Sequence, residues 1–312
     1  MFKIRTVRLS DLEQLKDKLD NISLDRLPLL LQPFIPHGLR QFPSIHLAVE
    51  GKDILGFVVL RSLSKLNNSW QIEKVYVFDE ERNKGIGEEL VRYVLSVYGG
   101  YGIEHFLAEV DSQNFPALSL FHQCGFRRYA KVCFYEKEFA QEAIRELPLV
   151  QDEGHITRPQ SNNDLSDLEK LDLSSIPPDL RPALGRSKTY FKDKKDTYVL
   201  VDKKRNLLIG WSCICKLSDD SYSIEILISP GWTHLYENFL NTLVCDYIQA
   251  GSEKIKLTIK AVDYLIELTD VLAKSGFLKT EIRELLVRTI WQKVKERKLK
   301  TAGTVVPRAA PT

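Results

Sequence analysis

The sequence predicts an α/β chain of the α+β type: two successive copies of one domain, each a mixed, mainly antiparallel sheet flanked by helices. Three observations predict it. Landmarks recur in the same order after about 150 residues, helix-like and strand-like stretches alternate, and the first strands are joined by turns too short for a parallel crossover. The 312 residues suffice for two cores of ordinary size. With 44% hydrophobic and 28% charged residues, the composition is that of a packed protein rather than a disordered one.

The repeat rests on three matches. Ile4 opens a strand and Asp11-Leu12-Glu13-Gln14-Leu15 follows in a helix; later, Ile156 precedes Asp167-Leu168-Glu169-Lys170-Leu171. Ile54-Leu55-Gly56-Phe57 corresponds to Leu208-Ile209-Gly210-Trp211, and Gly125-Phe126 to Gly276-Phe277, each pair closing a short helix. One match could be chance, but three in order argue for two copies of one unit. The expected division is 1–138, a connection at 139–154 that is acidic and broken by Pro148, a second domain at 155–292, and a basic, disordered tail at 293–312.

Within the first copy, His46-Leu-Ala-Val-Glu, Ile54 to Leu60 and Gln71 to Val77 read as strands, rich in branched and aromatic residues. Ile86, Leu90, Val94 and Val97 fall at helical spacing, so a helix with a buried face follows the third of these strands. Phe106 to Val110 is another strand. Pro116 then introduces a short helix ended by Gly125.

The 44 basic and 42 acidic side chains leave a formal charge of +2, which gives no whole-protein attraction to nucleic acid or anionic lipid. No apolar run approaches the roughly 20 residues needed to cross a bilayer, and the start lacks the apolar core of a secretory signal, so the cytoplasm is the expected location. The five cysteines are scattered without a CxxC pair, so buried free thiols are expected and no metal site. The apolar segment Leu27 to His37, broken by three prolines, suits either packing on the second copy or an acceptor or partner surface.

One motif carries chemistry. Between the third strand and its helix lies Arg82-Asn83-Lys84-Gly85-Ile86-Gly87. A helix N-terminus there presents unpaired N–H groups and a partial positive charge, and glycines let the backbone approach phosphate oxygens closely. Arg82 and Lys84 add full charges. Asn114, shortly before Pro116, has the form of a helix N-cap. Glu73, on the strand before the motif, is either a general base or a half-exposed carboxylate paired with a lysine.

These residues resemble the Gcn5-related N-acetyltransferase (GNAT) family over about 4–137. Arg82, Gly85 and Gly87 match its Arg/Gln-x-x-Gly-x-Gly/Ala loop, Ile72 to Val77 its central strand, and Asn114, Ala117, Leu120 and Gly125-Phe126 its closing helix. The resemblance implies acetyl-CoA as cosubstrate. The Val75 and Val77 backbone would pair with the pantetheine arm, residues 82–87 (Asn83 and Ile86 included) would hold the pyrophosphate, and Asn114 would bond the pantetheine. It implies transfer of acetyl to an amine by direct attack in a ternary complex, with Glu73 as base. Where many members carry a tyrosine that protonates the departing thiolate, this sequence has Phe121; Tyr129 or Tyr135, on the final strands, could substitute. In the second copy, Ser229 to Asn238 replaces the cradle with bulky residues and no Arg or Lys. The resemblance is therefore to tandem GNAT proteins, with a CoA-binding N-terminal half and a degenerate C-terminal half. The acceptor, a small molecule or a protein, is not legible. The alternative is a CoA-binding scaffold or regulatory protein without turnover.

Overall fold

Branched and aromatic runs form strands where the sequence places them. The computed structural model describes residues 1–15, 44–63, 69–145, 147, 154–184, 186–248 and 254–290. In the first half, β1 (Lys3–Thr6), β2 (Ser44–Glu50), β3 (Asp53–Ser62) and β4 (Ser69–Val77) form an antiparallel ladder, and β5 (His105–Asp111) joins β4 in parallel. A short α1 (Leu12–Leu15) follows β1, α2 (Ile86–Gly100) links β4 to β5, and α3 (Phe115–Gln123) leads into β6 (Arg127–Ala140). The apolar stripe of α2 (Ile86, Leu90, Val91, Val94, Tyr98) buries against Trp70 and Phe106 of the sheet.

The second half repeats the plan. It runs α4 (Gln141–Arg145), β7 (His155–Pro159), α5 (Leu165–Ser175), α6 (Arg181–Leu184), α7 (Lys188–Asp193), β8 (Thr197–Asp202), β9 (Leu207–Ser218) and β10 (Ser221–Ile228). Then come α8 (Tyr236–Tyr247), β11 (Lys254–Val262), α9 (Ile266–Lys274) and β12 (Leu278–Thr289). Among the described residues only β4–β5 and β10–β11 pair in parallel, so the sheet is mainly antiparallel, as expected.

The halves are not two separate sheets. One 12-stranded sheet runs β1-β2-β3-β4-β5-β12-β6-β11-β10-β9-β8-β7. The last strand of each half pairs with the other half: β12 lies on β5, and β6 lies on β11. The two exchanged strands pair with each other, and Val132 faces Arg283, its counterpart by the offset of the GF landmarks. Leu286 of β12 is thereby fully buried in the first half's core, while Cys133, Tyr135 and Phe139 of β6 enter the second half's core. The position expected to divide the domains, 138, falls inside β6, and α4 occupies part of the expected connection.

The landmarks have physical causes. Gly125 (φ 80°) and Gly276 (φ 78°) take the left-handed conformation that ends α3 and α9, with Phe126 N bonded to Phe121 O and Phe277 N to Leu272 O. Both following phenylalanines are buried. A side chain on Gly56 would lie 2.6 Å from the Tyr76 carbonyl oxygen, and one on Gly210 would lie 3.0 Å from the Leu200 Cβ, so strand approach restricts both sites.

One landmark is misaligned in the sequence reading. Arg5 grips Asp11 at 2.6 and 2.9 Å, and Arg158 grips Asp164 at 2.8 and 2.7 Å. The counterpart of Asp11 is therefore Asp164, one helical turn before Asp167, and the fully buried Leu15 corresponds to the fully buried Leu168. The expected buried thiols also need correction: Cys124, Cys133 and Cys213 are buried, Cys245 is half-buried and Cys215 is exposed, all five unoxidised. The Leu27–His37 segment and the tail from 293 lie outside the described residues. Among the described residues no helix is long and apolar enough to cross a membrane.

Because β12 closes the first half's core, Leu286→Ala is expected to cost about 2–5 kcal/mol, as large core truncations do. The loss should register equally in both halves. Urea unfolding followed by Trp70 fluorescence (Trp211, Trp232 and Trp291 replaced by Phe) and by Trp211 fluorescence (Trp70, Trp232 and Trp291 replaced by Phe) should shift to the same new midpoint. A shift confined to the Trp70 signal, the reporter that shares a core with Leu286, would mean that the halves unfold separately.

Candidate active site

The parallel β4–β5 ladder is short. It pairs Ser69 with His105 and ends at Ile72 and Ala108. A bulge in β4 opposite Val59 and Leu60 marks the place. Beyond it the strands diverge, and a cleft of about 970 Å³ opens between them. Its walls are Glu73 to Val77 of β4, Glu109 to Asp111 of β5, the 81–88 turn, and Asn114 with the inner face of α3. The ladder with β5 does not extend to Val75 and Val77 of β4, the condition for pairing an extended ligand there.

The cradle stands at the mouth of α2. Asn83 (φ 62°) and Gly85 (φ 77°) turn the chain left-handed, and Gly85 precedes the helix without a side-chain cap. Among the described residues the amides of 83–88 donate to no carbonyl or side chain; the first paired amide is Glu89, bonded to Gly85 O at 3.1 Å. A Cβ on Gly87 would sit 2.6 Å from Leu120 Cδ1, so this residue's bareness keeps the turn, strand and α3 in close approach. The full charges contribute less than the sequence suggests. Arg82 is paired with Asp79 at 2.6 Å and Lys84 with Glu81 at 3.0 Å, all on the exposed rim.

The structure brings Glu73, Val75, Val77, Arg82, Asn83, Gly85, Ile86, Gly87, Asn114 and Phe121 to one cleft. Regular alternation would put Glu73 on the face of Val75 and Val77, and the bulge breaks that alternation. Val75 and Val77 pack on the α2 side, whereas Glu73 reaches Arg61 of β3, with Arg61 Nε 2.7 Å from Glu73 Oε1. Its other oxygen, Oε2, is buried and accepts no hydrogen bond. Burial raises the Glu73 pKa above the ordinary carboxylate value, and Arg61 opposes that shift.

Asn114 caps α3, its Oδ1 accepting from Ala117 N at 3.1 Å. An amide that caps with its oxygen still has two N–H donors, so capping and ligand contact are compatible. Phe121 is buried edge-on against Phe126. Cys124 is no nucleophile: burial pushes its thiol up to about 11.

Tyr129 and Tyr135, expected as possible acids, are not brought to the cleft. Tyr129 Oη donates to Asp179 of the second half at 2.7 Å, and burial raises its pKa further from use. Tyr135 is buried in the second half's core, because β6 belongs to that half's ladder. Strand exchange, invisible in the sequence, carries both away.

The second half keeps the splayed strands but not the open turn. Its parallel ladder ends at Ile224 and Ile259, so Glu225 stands where Glu73 stands and Lys260 where Glu109 stands. Glu225 is fully engaged: Arg186 at 3.0 Å, Lys194 at 3.2 Å and Tyr190 Oη at 2.6 Å hold it. At the cradle's place, Pro230–Leu235 forms tight turns and α8 begins with Tyr236, which is fully buried. Among the described residues no cluster of three or more metal-ligating side chains exists.

Comparisons with known proteins agree with this geometry. Residues 12–126 match the acetyltransferase (GNAT) family. An N-alpha-acetyltransferase of Saccharolobus solfataricus is 22% identical over 138 residues, 41% of this chain and 81% of that protein. A tandem GNAT protein from the clavulanic acid biosynthesis pathway superposes with a TM-score of 0.56 at 11% identity, covering 94% of this chain and all of the other. A GCN5-related N-acetyltransferase from Sphaerobacter thermophilus gives 0.58 at 14% identity, covering 94% and 97%. At such identities the solved structures establish the fold alone. The first half, over residues 12–126, thus matches the GNAT family, and the whole chain shares the fold of solved proteins that include a tandem GNAT protein.

Proposed function

We propose that the first half is an N-acetyltransferase that takes acetyl-CoA at the 82–87 cradle and passes the acetyl group to an amine in a ternary complex. The observation that carries this reading is the open turn whose amides, 83–88, have no partner within the protein among the described residues. Unpaired amides at a helix N-terminus fit a diphosphate. The free edge of β4 at Val75 and Val77 fits an extended pantetheine, and Asn114 has donors to spare for it. Acetyl-CoA supplies an activated thioester.

The chain's residues do the rest. Glu73 takes the proton that the attacking nitrogen must lose, directly or through one water; its Oε2, buried and accepting no hydrogen bond, supports this role. The new C–N bond forms as the C–S bond breaks, and the thiolate takes a proton from solvent. A thiol of pKa about 8.5 leaves without an acid more readily than an alkoxide, so Phe121 slows this step without forbidding it; a missing acid costs about 10²–10⁴. The α-amine is the first acceptor to test. It is the group in the archaeal relative's name, and with a pKa near 8 it is about a tenth neutral at pH 7. Phe121 also favours one alternative, a CoA-binding regulatory protein without turnover.

Calorimetry should show micromolar acetyl-CoA binding, lost in Gly87→Glu, which fills the turn and adds a repelling charge. Gly51→Ala, a control at another left-handed glycine (φ 62°), should bind like the parent. Equal binding by the Gly87 variant would remove the cradle from the reaction. Thiol release across a panel of peptides and small amines separates enzyme from regulator. Where turnover is found, kcat/KM should carry, besides the limb set by the amine itself, an acid limb displaced upward from the ordinary carboxylate position because burial raises the Glu73 pKa, and that limb should vanish in Glu73→Gln with a drop of about 10²-fold or more. An unchanged limb in that variant would exclude Glu73 as the base.

A further inference from the structure

The half without a cradle still touches the cleft. Glu109 is the first residue of β5 past the end of the parallel ladder, as Glu73 is the first of β4, and it lines the cleft with Asp111. Its Oε1 lies 2.6 Å from Nζ of Lys260, which belongs to β11 of the second half. The pair reaches over both exchanged strands. Phe134 of β6 forms its floor, with Lys260 Nζ 6.0 Å and the Arg283 guanidinium 4.9 Å from the ring centroid. Arg283 is itself held by Glu281 at 2.6 and 3.1 Å, so Lys260 is the cation in direct contact with Glu109.

Glu109 and Lys260 occupy the same station in the two halves. In a symmetric pair of identical halves, a residue facing its own counterpart across the two-fold would meet a like charge. Here the two copies carry opposite charges, and the clash becomes an ion pair. Glu109 is largely buried and Lys260 about half exposed, so the pair is open to influence from a ligand.

We propose that Lys260 determines the amine selectivity of the first half's cleft by neutralising Glu109, so that the second half sets the charge offered to the acceptor. This rests on the acetyltransferase reading of that cleft. With the pair intact, the carboxylates that line the cleft beside Glu109 are Asp111 and Glu73, and Glu73 is shared with Arg61; that suits an acceptor bearing one positive charge. Without Lys260, Glu109 adds a negative charge and the cleft favours polycations.

The test uses the full-length protein saturated with CoA and titrated with spermidine as the polycationic probe. Lys260→Gln should bind spermidine about 3–10-fold more tightly than the parent, the effect of one partly exposed charge. Lys260→Arg, which keeps the pair, should bind like the parent. Glu109→Gln, which leaves Lys260 uncompensated, should bind more weakly. The double variant Lys260→Gln/Glu109→Gln should return to near the parent value, because the effect runs through Glu109. The proposal is overturned if Lys260→Gln binds spermidine no better than the parent, including the case where neither binds. It is equally overturned if the gain persists in the double variant. Acetyl-CoA affinity, measured on the same samples before saturation, separates the two readings: its absence in the parent defeats the acetyltransferase reading, whatever spermidine does.

Discussion

The antiparallel ladder between β6 and β12 is the seam on which both halves close. Each half builds five strands and a helix-covered face, then hands its last strand to the other. The cleft depends on this seam. Its β5 wall is a supported strand because β12 lies against its outer edge, and the core beneath it is completed by Leu286. The second half is thus part of the first half's architecture even though it lacks a phosphate cradle.

The contrast between the halves is a contrast in what occupies equivalent stations. Both keep a short parallel ladder that splays, a glutamate just past its end, and a helix beyond. In the first, the helix is entered through left-handed, side-chain-poor residues and the glutamate keeps one oxygen free. In the second, Tyr236 fills the entry and Arg186, Lys194 and Tyr190 consume the glutamate. A fold can keep every strand while filled space and paired charges close a station that its other copy leaves open.

Much of this was legible in the sequence. The Gly125 and Gly276 landmarks predicted their helix ends because only a left-handed residue fits there, and Arg82 to Gly87 predicted an open turn because glycine spacing and helix period agree. The periodicity of 86–97 located α2 correctly. Other features were hidden for physical reasons. Strand exchange leaves no mark on a hydrophobic pattern, because β6 presents the same alternation whichever neighbour it meets. That is why Tyr129 and Tyr135 were assigned to the wrong neighbourhood. The bulge at Glu73 turns its side chain from the face of Val75 and Val77 that regular alternation would give it, since one extra residue reverses alternation. The one-turn slip between Asp164 and Asp167 arose because apolar spacing cannot tell successive turns of a helix apart, whereas the arginine grip can. The Glu109–Lys260 pair joins residues far apart in sequence and could be found only in three dimensions.

The exchanged strands also order events during synthesis. When β6 leaves the ribosome its partners β11 and β12 have not yet been made, and β5 waits with an open edge for residues near 283–289. A nascent first half therefore carries unpaired strand edges for more than a hundred residues of elongation. That is a state prone to pairing with a second chain, and one in which chaperone contact matters. Fusing the two copies in one polypeptide shortens that wait to the time needed to finish a single chain.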